Sequence, residues 1–179
     1  LLLCLALTAP SCRRQPQSPV HFAREEIEMK VSSGFVEVWG MYHFTFSGQE
    51  QLKGIMHYPF PLDSSHAWPD SVSIPGRRFL ENDSGVSLKM RFIPGQEESL
   101  FVYYRQPVLR NTARYIVTTT RRWDRPIDRA RFRVTVPKNL PNVRLNYVPD
   151  STVLTDTTIT WLFTRGPFWP SEDIIVTWN

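Results

Sequence analysis

The chain contains few residues whose type and spacing could support catalysis or metal binding. Its four histidines occur singly, without the H-x-H or H-E-x-x-H spacing that directs two imidazoles to one zinc ion, at His21, His43, His57 and His66. The segment Ser64-Ser65-His66 and Asp70 brings a hydroxyl, an imidazole and a carboxylate together in sequence. Catalytic triads are assembled by tertiary contacts, so this proximity predicts a solvent-exposed loop instead.

The acidic pairs do not predict an acid–base site either. Glu25-Glu26 and Glu97-Glu98 are adjacent residues, and adjacent side chains of an extended chain point to opposite faces. No G-x-S-x-G motif and no glycine-rich phosphate loop occurs in the sequence. We therefore predict no catalytic residue, no metal site and no cofactor, with an exported hydrolase as the remaining enzymatic alternative.

Arginine and tryptophan offer a different kind of chemistry. Arg121 to Arg129 interleaves arginines with Trp123, and guanidinium groups bind phosphate, sulfate or acidic glycans through paired hydrogen bonds and stacking. The alternative is a solvated surface in which Asp124 and Asp128 neutralise the arginines. The residues predicted as a possible binding surface are Trp39, His43, Trp68, Arg121, Arg122, Trp123 and Arg125.

The first residues predict export. Leu1 to Ala9 is an uncharged apolar run, shorter than the roughly 20 residues that span a bilayer but typical of a signal peptide. Small residues at Ala9 and Ser11 precede Cys12, and this arrangement resembles a bacterial lipoprotein precursor, in which the cysteine receives the lipid anchor. We expect a truncated signal peptide over 1–11, a lipid anchor at Cys12 and a polar tether over 12–22.

The rest of the chain alternates with a period of two residues, which is the pattern of half-buried strands. Val86 to Phe92 places four apolar side chains on one face, and Arg131 to Val136 and Thr158 to Phe163 repeat the pattern. Phe35 to Phe46 is apolar on both faces, which predicts either a strand covered on both sides or an exposed aromatic patch. Further strands are predicted near 27–31, 52–58, 72–74, 100–105, 114–120, 143–147 and 174–178.

Turn residues separate these segments. Pairs such as Ser33-Gly34, Pro75-Gly76 and Pro94-Gly95 mark chain reversals. Many short strands at this spacing predict an all-β fold, an antiparallel β-sandwich of immunoglobulin-like or similar type with ten to twelve strands and little or no helix. The length of residues 23–179 favours one domain.

Two groups of motifs resemble known families. Val38 to Phe46, followed by Tyr58-Pro59-Phe60-Pro61-Leu62, is similar to the opening of the vault/inter-alpha-trypsin type β-sandwich. Thr119-Thr120, Trp123 and Phe168 to Val176 resemble bacterial exported domains of unknown function. Both resemblances imply a sandwich, and neither implies a catalytic residue.

These observations favour a non-enzymatic lipoprotein of the cell envelope, periplasmic or at the outer membrane. Its expected partners are the membrane, through the lipid anchor, and another envelope protein. The alternative is a module that binds a glycan or acidic polymer through exposed tryptophan and arginine. The net charge of +4 is mild for this length, and together with export it argues against nucleic acid as a partner.

Overall fold

The computed structural model describes residues 18–123 and 125–179. These residues form thirteen strands and one 3-10 helix, η1 (Thr118–Trp123). The strands are β1 (Val20–Val31), β2 (Phe35–Phe46), β3 (Leu52–Pro59), β4 (Ser71–Ser73), β5 (Phe79–Asn82), β6 (Gly85–Phe92), β7 (Glu98–Pro107), β8 (Thr112–Tyr115), β9 (Arg129–Pro137), β10 (Arg144–Leu145), β11 (Ser151–Leu154), β12 (Thr158–Arg165) and β13 (Ile174–Thr177).

The largest sheet has seven strands in the order β11-β12-β9-β1-β2-β7-β4. Its pairs are antiparallel except for β1 and β9, which run parallel. The alternation of the sequence appears directly in burial, since every second residue of β2 from Val36 to Phe44 is buried. One face of this sheet therefore carries the core, and the other is the outer face.

Two three-stranded sheets share that core with the large sheet. One has the order β3-β6-β5 and the other β10-β13-β8. Buried residues of both, including Leu88 and Met90 on β6 and Val176 on β13, belong to one hydrophobic cluster with β1, β2, β7 and β9. This arrangement confirms the predicted all-β sandwich class, with one more strand than the upper predicted number.

Two local predictions differ from the structure. The predicted strand over residues 114–120 ends at Tyr115 as β8, and the chain then enters η1. The reason is a carboxylate cap, because Asp173 Oδ1 accepts hydrogen bonds from the backbone of Val117 and Thr118 at 3.1 Å and from the Thr118 hydroxyl at 2.8 Å. Strand β1 begins at Val20, inside the segment predicted as a tether. The predicted signal peptide and Cys12 lie outside the described residues.

Candidate ligand-binding site

The three tryptophans of the predicted binding surface lie in three different places. Trp39 lies on the outer face of β2, whereas Trp68 and Trp123 pack against the hydrophobic core. The Trp68 ring meets Phe60 edge-on at 5.5 Å between centroids. Trp123, in η1, lies 5.5 Å from Phe44. The predicted residues therefore do not form one continuous surface.

Trp39 belongs to a groove on the outer face of the large sheet. The Lys30 ammonium group lies 4.6 Å from the centre of its ring, and the Tyr103 ring lies 5.2 Å away. The same groove, with a volume of about 410 Å³, is lined by Arg131 and Arg133. A tryptophan and two arginines therefore line one groove on this protein, but the arginines come from β9 and not from the 121–125 segment.

The remaining predicted residues have structural partners or open surroundings. His43 Nδ1 lies 2.9 Å from Glu97, whose carboxylate also accepts hydrogen bonds at 3.0 Å from Arg24. Arg125 donates to the backbone carbonyl of Ser18 at 2.8 Å, which connects the segment just before β1 to the segment that follows η1. Arg121 is exposed, and the side chain of Arg122 lies outside the described part of the structure.

The most unusual polar group is on the inner face of β1. Glu25 pairs in register with Tyr42 of β2, on the face that also carries Ile27 and Met29. Its residue exposure is only 2 %, and its Oε1 atom has no hydrogen-bond partner among residues 18–123 and 125–179. Burial away from water raises the pKa of the Glu25 carboxyl to about 8. A carboxyl group whose Oε1 atom has no partner among the described residues therefore lies in the protein interior.

Three tyrosine hydroxyl groups meet beside this carboxyl and form what we call the tyrosine network. The Tyr42 hydroxyl lies 2.8 Å from those of Tyr58 and Tyr115. These residues come from β2, β3 and β8, so each of the three sheets contributes one hydroxyl. Burial raises the pKa of all three phenols, and the network therefore stays neutral through the physiological pH range.

The network depends on a glycine. Gly40 lies on the same face of β2 as Tyr42, and the phenol of Tyr42 occupies the space that a side chain at Gly40 would need. Any substituent there would meet the Tyr42 hydroxyl at less than van der Waals distance. Gly40 thus allows the phenol to lie flat along the strand and to reach both neighbouring sheets.

Glu25 and the tyrosine network line an inner cavity with a volume of about 70 Å³. In front of it lies a larger cleft of about 600 Å³ between β3, β6 and η1. The two share several lining residues, among them Met56, His57 and Trp123. The inner cavity is therefore the floor of the cleft, and its lining is aromatic and apolar apart from the hydroxyls, one carboxyl and the His57 imidazole.

A second buried polar group lies at the other end of the sandwich. His66 was predicted in an exposed loop, but its side chain is 1 % exposed and its Nδ1 atom lies 2.9 Å from Asp63. Asp63 also accepts a hydrogen bond from Arg114 at 2.7 Å. Asp70 instead pairs with Arg105 at 2.8 Å. No hydroxyl group hydrogen-bonds to His66 among the described residues, so this arrangement fixes a loop and has no nucleophile.

The alternation of the sequence indicates that Glu25 is buried, although the acidic pair Glu25-Glu26 taken by itself does not. The alternation of β1 puts residues 25, 27, 29 and 31 on the buried face. Read at that period, the sequence places one carboxylate among Ile27, Met29 and Val31. The tyrosines lack such a signal, because Tyr58 and Tyr115 reach Tyr42 only through the stacking of three sheets.

Within residues 18–123 and 125–179, no three or more His, Cys, Asp or Glu side chains are close enough together to hold a metal ion. No helix in these ranges has the length and apolar character needed to cross a bilayer.

Comparison with known proteins gives structural likeness only. No protein-family model and no curated protein matches the sequence. A proposed nutrient-binding protein from Legionella pneumophila superimposes with a TM-score of 0.60 at 16% identity, over 89% of this chain and 67% of that one. An M1 zinc metallopeptidase from Deinococcus radiodurans gives a TM-score of 0.53 at 14% identity, over 89% of this chain and 42% of that one.

A variant of a two-domain M1 zinc metallopeptidase bound to L-tryptophan gives a TM-score of 0.55 at 13% identity, over 90% of this chain and 43% of that one. This chain thus spans less than half of each metallopeptidase chain. At these identities the likeness establishes the all-β fold that the proteins share, and nothing about activity.

Proposed function

We propose that this protein is a non-enzymatic binding module of the cell envelope, exported and anchored through Cys12, which takes a small ligand in the cleft between β3, β6 and η1. The observation that carries the proposal is the continuity of the cleft with the inner cavity, where an unpartnered buried carboxyl and three hydroxyls face an aromatic lining. Concave, mostly apolar sites with a few convergent polar groups are the usual form of small-ligand sites. The fold shared with a proposed nutrient-binding protein is consistent with this role.

A cleft-filling variant tests the proposal. Gly54 lines the cleft, and a β-carbon built there meets no atom within 4 Å. Because residues alternate along β3, a side chain at position 54 lies on the same face as Met56 and Tyr58. Gly54→Phe should therefore occupy the cleft while preserving the fold.

The control is Gly34→Phe, since Gly34 is equally unobstructed but lies in the β1–β2 turn. A panel of small polar and apolar metabolites is screened by ligand-induced thermal stabilisation. We expect at least one compound to stabilise the wild type and Gly34→Phe but not Gly54→Phe. A panel that stabilises none of the three proteins, or all three equally, would contradict the proposal.

The anchor is tested separately. Metabolic labelling with palmitate in a bacterial host should label the wild type and not Cys12→Ala, because the thiol is the point of lipid attachment. Several acyl chains hold a protein at a membrane without a spanning helix, since each buried methylene contributes about 0.8 kcal/mol. Equal labelling of both proteins would exclude Cys12 as the anchor.

The outer groove supports a second candidate function, the binding of an acidic glycan. Trp39 offers a ring for stacking, and Arg131 and Arg133 offer bidentate donors in the same groove. Glu26 and Glu28 also line it, which restricts an anionic ligand to the arginine side. A sulfated polysaccharide that binds the wild type at low salt should lose affinity in Arg133→Gln. Retained affinity would exclude this site.

A further inference from the structure

We propose that the inner cavity binds the ammonium group of a small primary amine, with the Glu25 carboxylate as its counter-ion and the apolar or aromatic part of the ligand in the cleft. This inference rests on the proposed function, because it names the ligand class for the same cleft. It follows from the charge, the hydrogen-bonding capacity and the shape of the site.

The charge of the lining favours a cation. Among the described residues, Glu25 is the only acidic residue that lines the inner cavity or the cleft, and neither is lined by lysine or arginine. The one imidazole in both linings, that of His57, lies with its Nε2 atom 3.2 Å from the Ser84 hydroxyl. An anionic ligand would meet a carboxyl without any compensating cation. A neutral ligand would give the charged form of this carboxyl no partner, so the group would stay protonated or remain an unfavourable unpaired charge in a region of low polarity. A cation gives Glu25 the partner that the described residues do not supply.

The hydrogen-bonding groups also match an ammonium group, which has three donors and no acceptor. Glu25 Oε1 is buried without a hydrogen-bond partner in the part of the chain that the structure describes. The phenol oxygens of the tyrosine network line the same cavity and retain acceptor capacity, because each hydroxyl oxygen has two lone pairs. The aromatic side chains of Phe22, Phe44 and Trp123 also line this cavity, and aromatic rings attract cations.

The volumes of the inner cavity and the cleft indicate the sizes of the two ends of the ligand. A volume of about 70 Å³ accommodates a group of a few heavy atoms. The cleft in front holds about 600 Å³ and is lined by Ile55, Met56, Met90, Phe92 and Trp123. A ligand that fills both therefore has a compact cationic end and a flexible or planar apolar body, as in an arylalkylamine or the amino terminus of a hydrophobic peptide.

Matched probes test the proposal by titration calorimetry at pH 8. The probes are 2-phenylethylamine, the uncharged 2-phenylethanol and the anionic 3-phenylpropionate, together with the peptide amide Phe-Ala-NH₂ to distinguish a free amine from a peptide terminus. A charge-assisted hydrogen bond corresponds to about 10- to 100-fold in affinity. We expect the amine to bind at least about tenfold more tightly than the alcohol, and the carboxylate to bind least.

Two variants identify the counter-ion. Glu25→Gln keeps the shape of the side chain and removes its charge, so it should bring 2-phenylethylamine down to the affinity of 2-phenylethanol. Glu26→Gln is the matched control, because Glu26 is the next residue but its side chain is 53% exposed on the outer face. Circular dichroism of both variants establishes that they are folded.

The outcomes separate this inference from the function on which it rests. Equal affinity of the amine and the alcohol for the wild type, or an unchanged amine affinity in Glu25→Gln, would overturn the amine assignment. If the alcohol or the carboxylate then binds and Gly54→Phe abolishes that binding, the cleft remains the ligand site. If none of the probes binds, the amine assignment is wrong, and the metabolite screen described above decides the function separately.

Discussion

Replacement of Glu25 by glutamine should stabilise the protein in alkaline solution and leave it nearly unchanged in acid. The carboxyl lies in the core and has no partner at Oε1 among the described residues, and burial raises its pKa in the folded protein from 4.5 to about 8. Glutamine has almost the same shape and cannot ionise. The difference between the two proteins therefore isolates the free energy of placing a negative charge at this position.

The direction of this pH dependence follows from the pKa of Glu25 in the unfolded and in the folded protein. Below pH 4.5 the carboxyl is protonated in both the folded and the unfolded protein, and its full contribution to stability is present. As the pH rises towards 8, the unfolded chain ionises first and stability falls by up to about 1.4 kcal/mol per pH unit. A pKa difference of 3.5 between 4.5 and about 8 corresponds to a total of about 5 kcal/mol.

Urea unfolding at pH 4, 6, 7.5 and 9 measures this effect in the wild type, Glu25→Gln and Glu26→Gln. We expect the free energy of unfolding of Glu25→Gln to exceed that of the wild type by an amount that grows with pH towards about 5 kcal/mol. Glu26→Gln should follow the wild type, because that side chain is in water. A constant difference between Glu25→Gln and the wild type over this pH range would refute the account of a desolvated carboxyl.

Three further predictions concern the elements that build the site. Gly40→Ala should destabilise the protein by about 1–3 kcal/mol in urea unfolding because the new methyl group displaces a phenol of the tyrosine network, whereas Gly54→Ala, whose β-carbon meets no atom within 4 Å, should have little effect. Asp173→Ala should lower the free energy of unfolding by about 1–2 kcal/mol in the same assay, since it removes the hydrogen-bond acceptor for Thr118 and with it the cap of η1. Tyr115→Phe should lower the free energy of unfolding by about 1 kcal/mol, because it removes one hydroxyl contact between sheets. For Gly40→Ala, Asp173→Ala and Tyr115→Phe alike, an unchanged unfolding midpoint would contradict the corresponding contact.

The sequence predicts the strands well because the alternation of buried and exposed side chains is set within each strand. In β6, Val86, Leu88, Met90 and Phe92 are predicted inward and are all buried. The same rule fails after Tyr115, where the backbone is held in η1 by a carboxylate more than fifty residues away. The parallel pairing of β1 with β9 is likewise set by tertiary packing, since neither strand differs in pattern from its antiparallel neighbours.

The site is harder to predict than the fold, and the tryptophans show why. Residue type alone suggested that Trp39, Trp68 and Trp123 would contribute to binding. The structure places Trp68 against the core, whereas Trp123 packs against the core and also lines the cleft. A tryptophan serves a core and a binding surface through the same property, a large apolar ring, so only its surroundings distinguish the two. A carboxylate is more informative, because burial is costly for it and favourable for a ring.

Glu25 is therefore the residue whose position most needs a functional explanation. No described residue is a partner for its Oε1 atom, so no hydrogen bond from these residues offsets the burial of that atom. Leucine or methionine at this point of β1 would pack against Tyr42 and the core without any desolvation cost. A residue that lowers stability at neutral pH, lines a cavity and lies beside three hydroxyls from three sheets has the properties of a preorganised ligand site, in which binding supplies the missing partner.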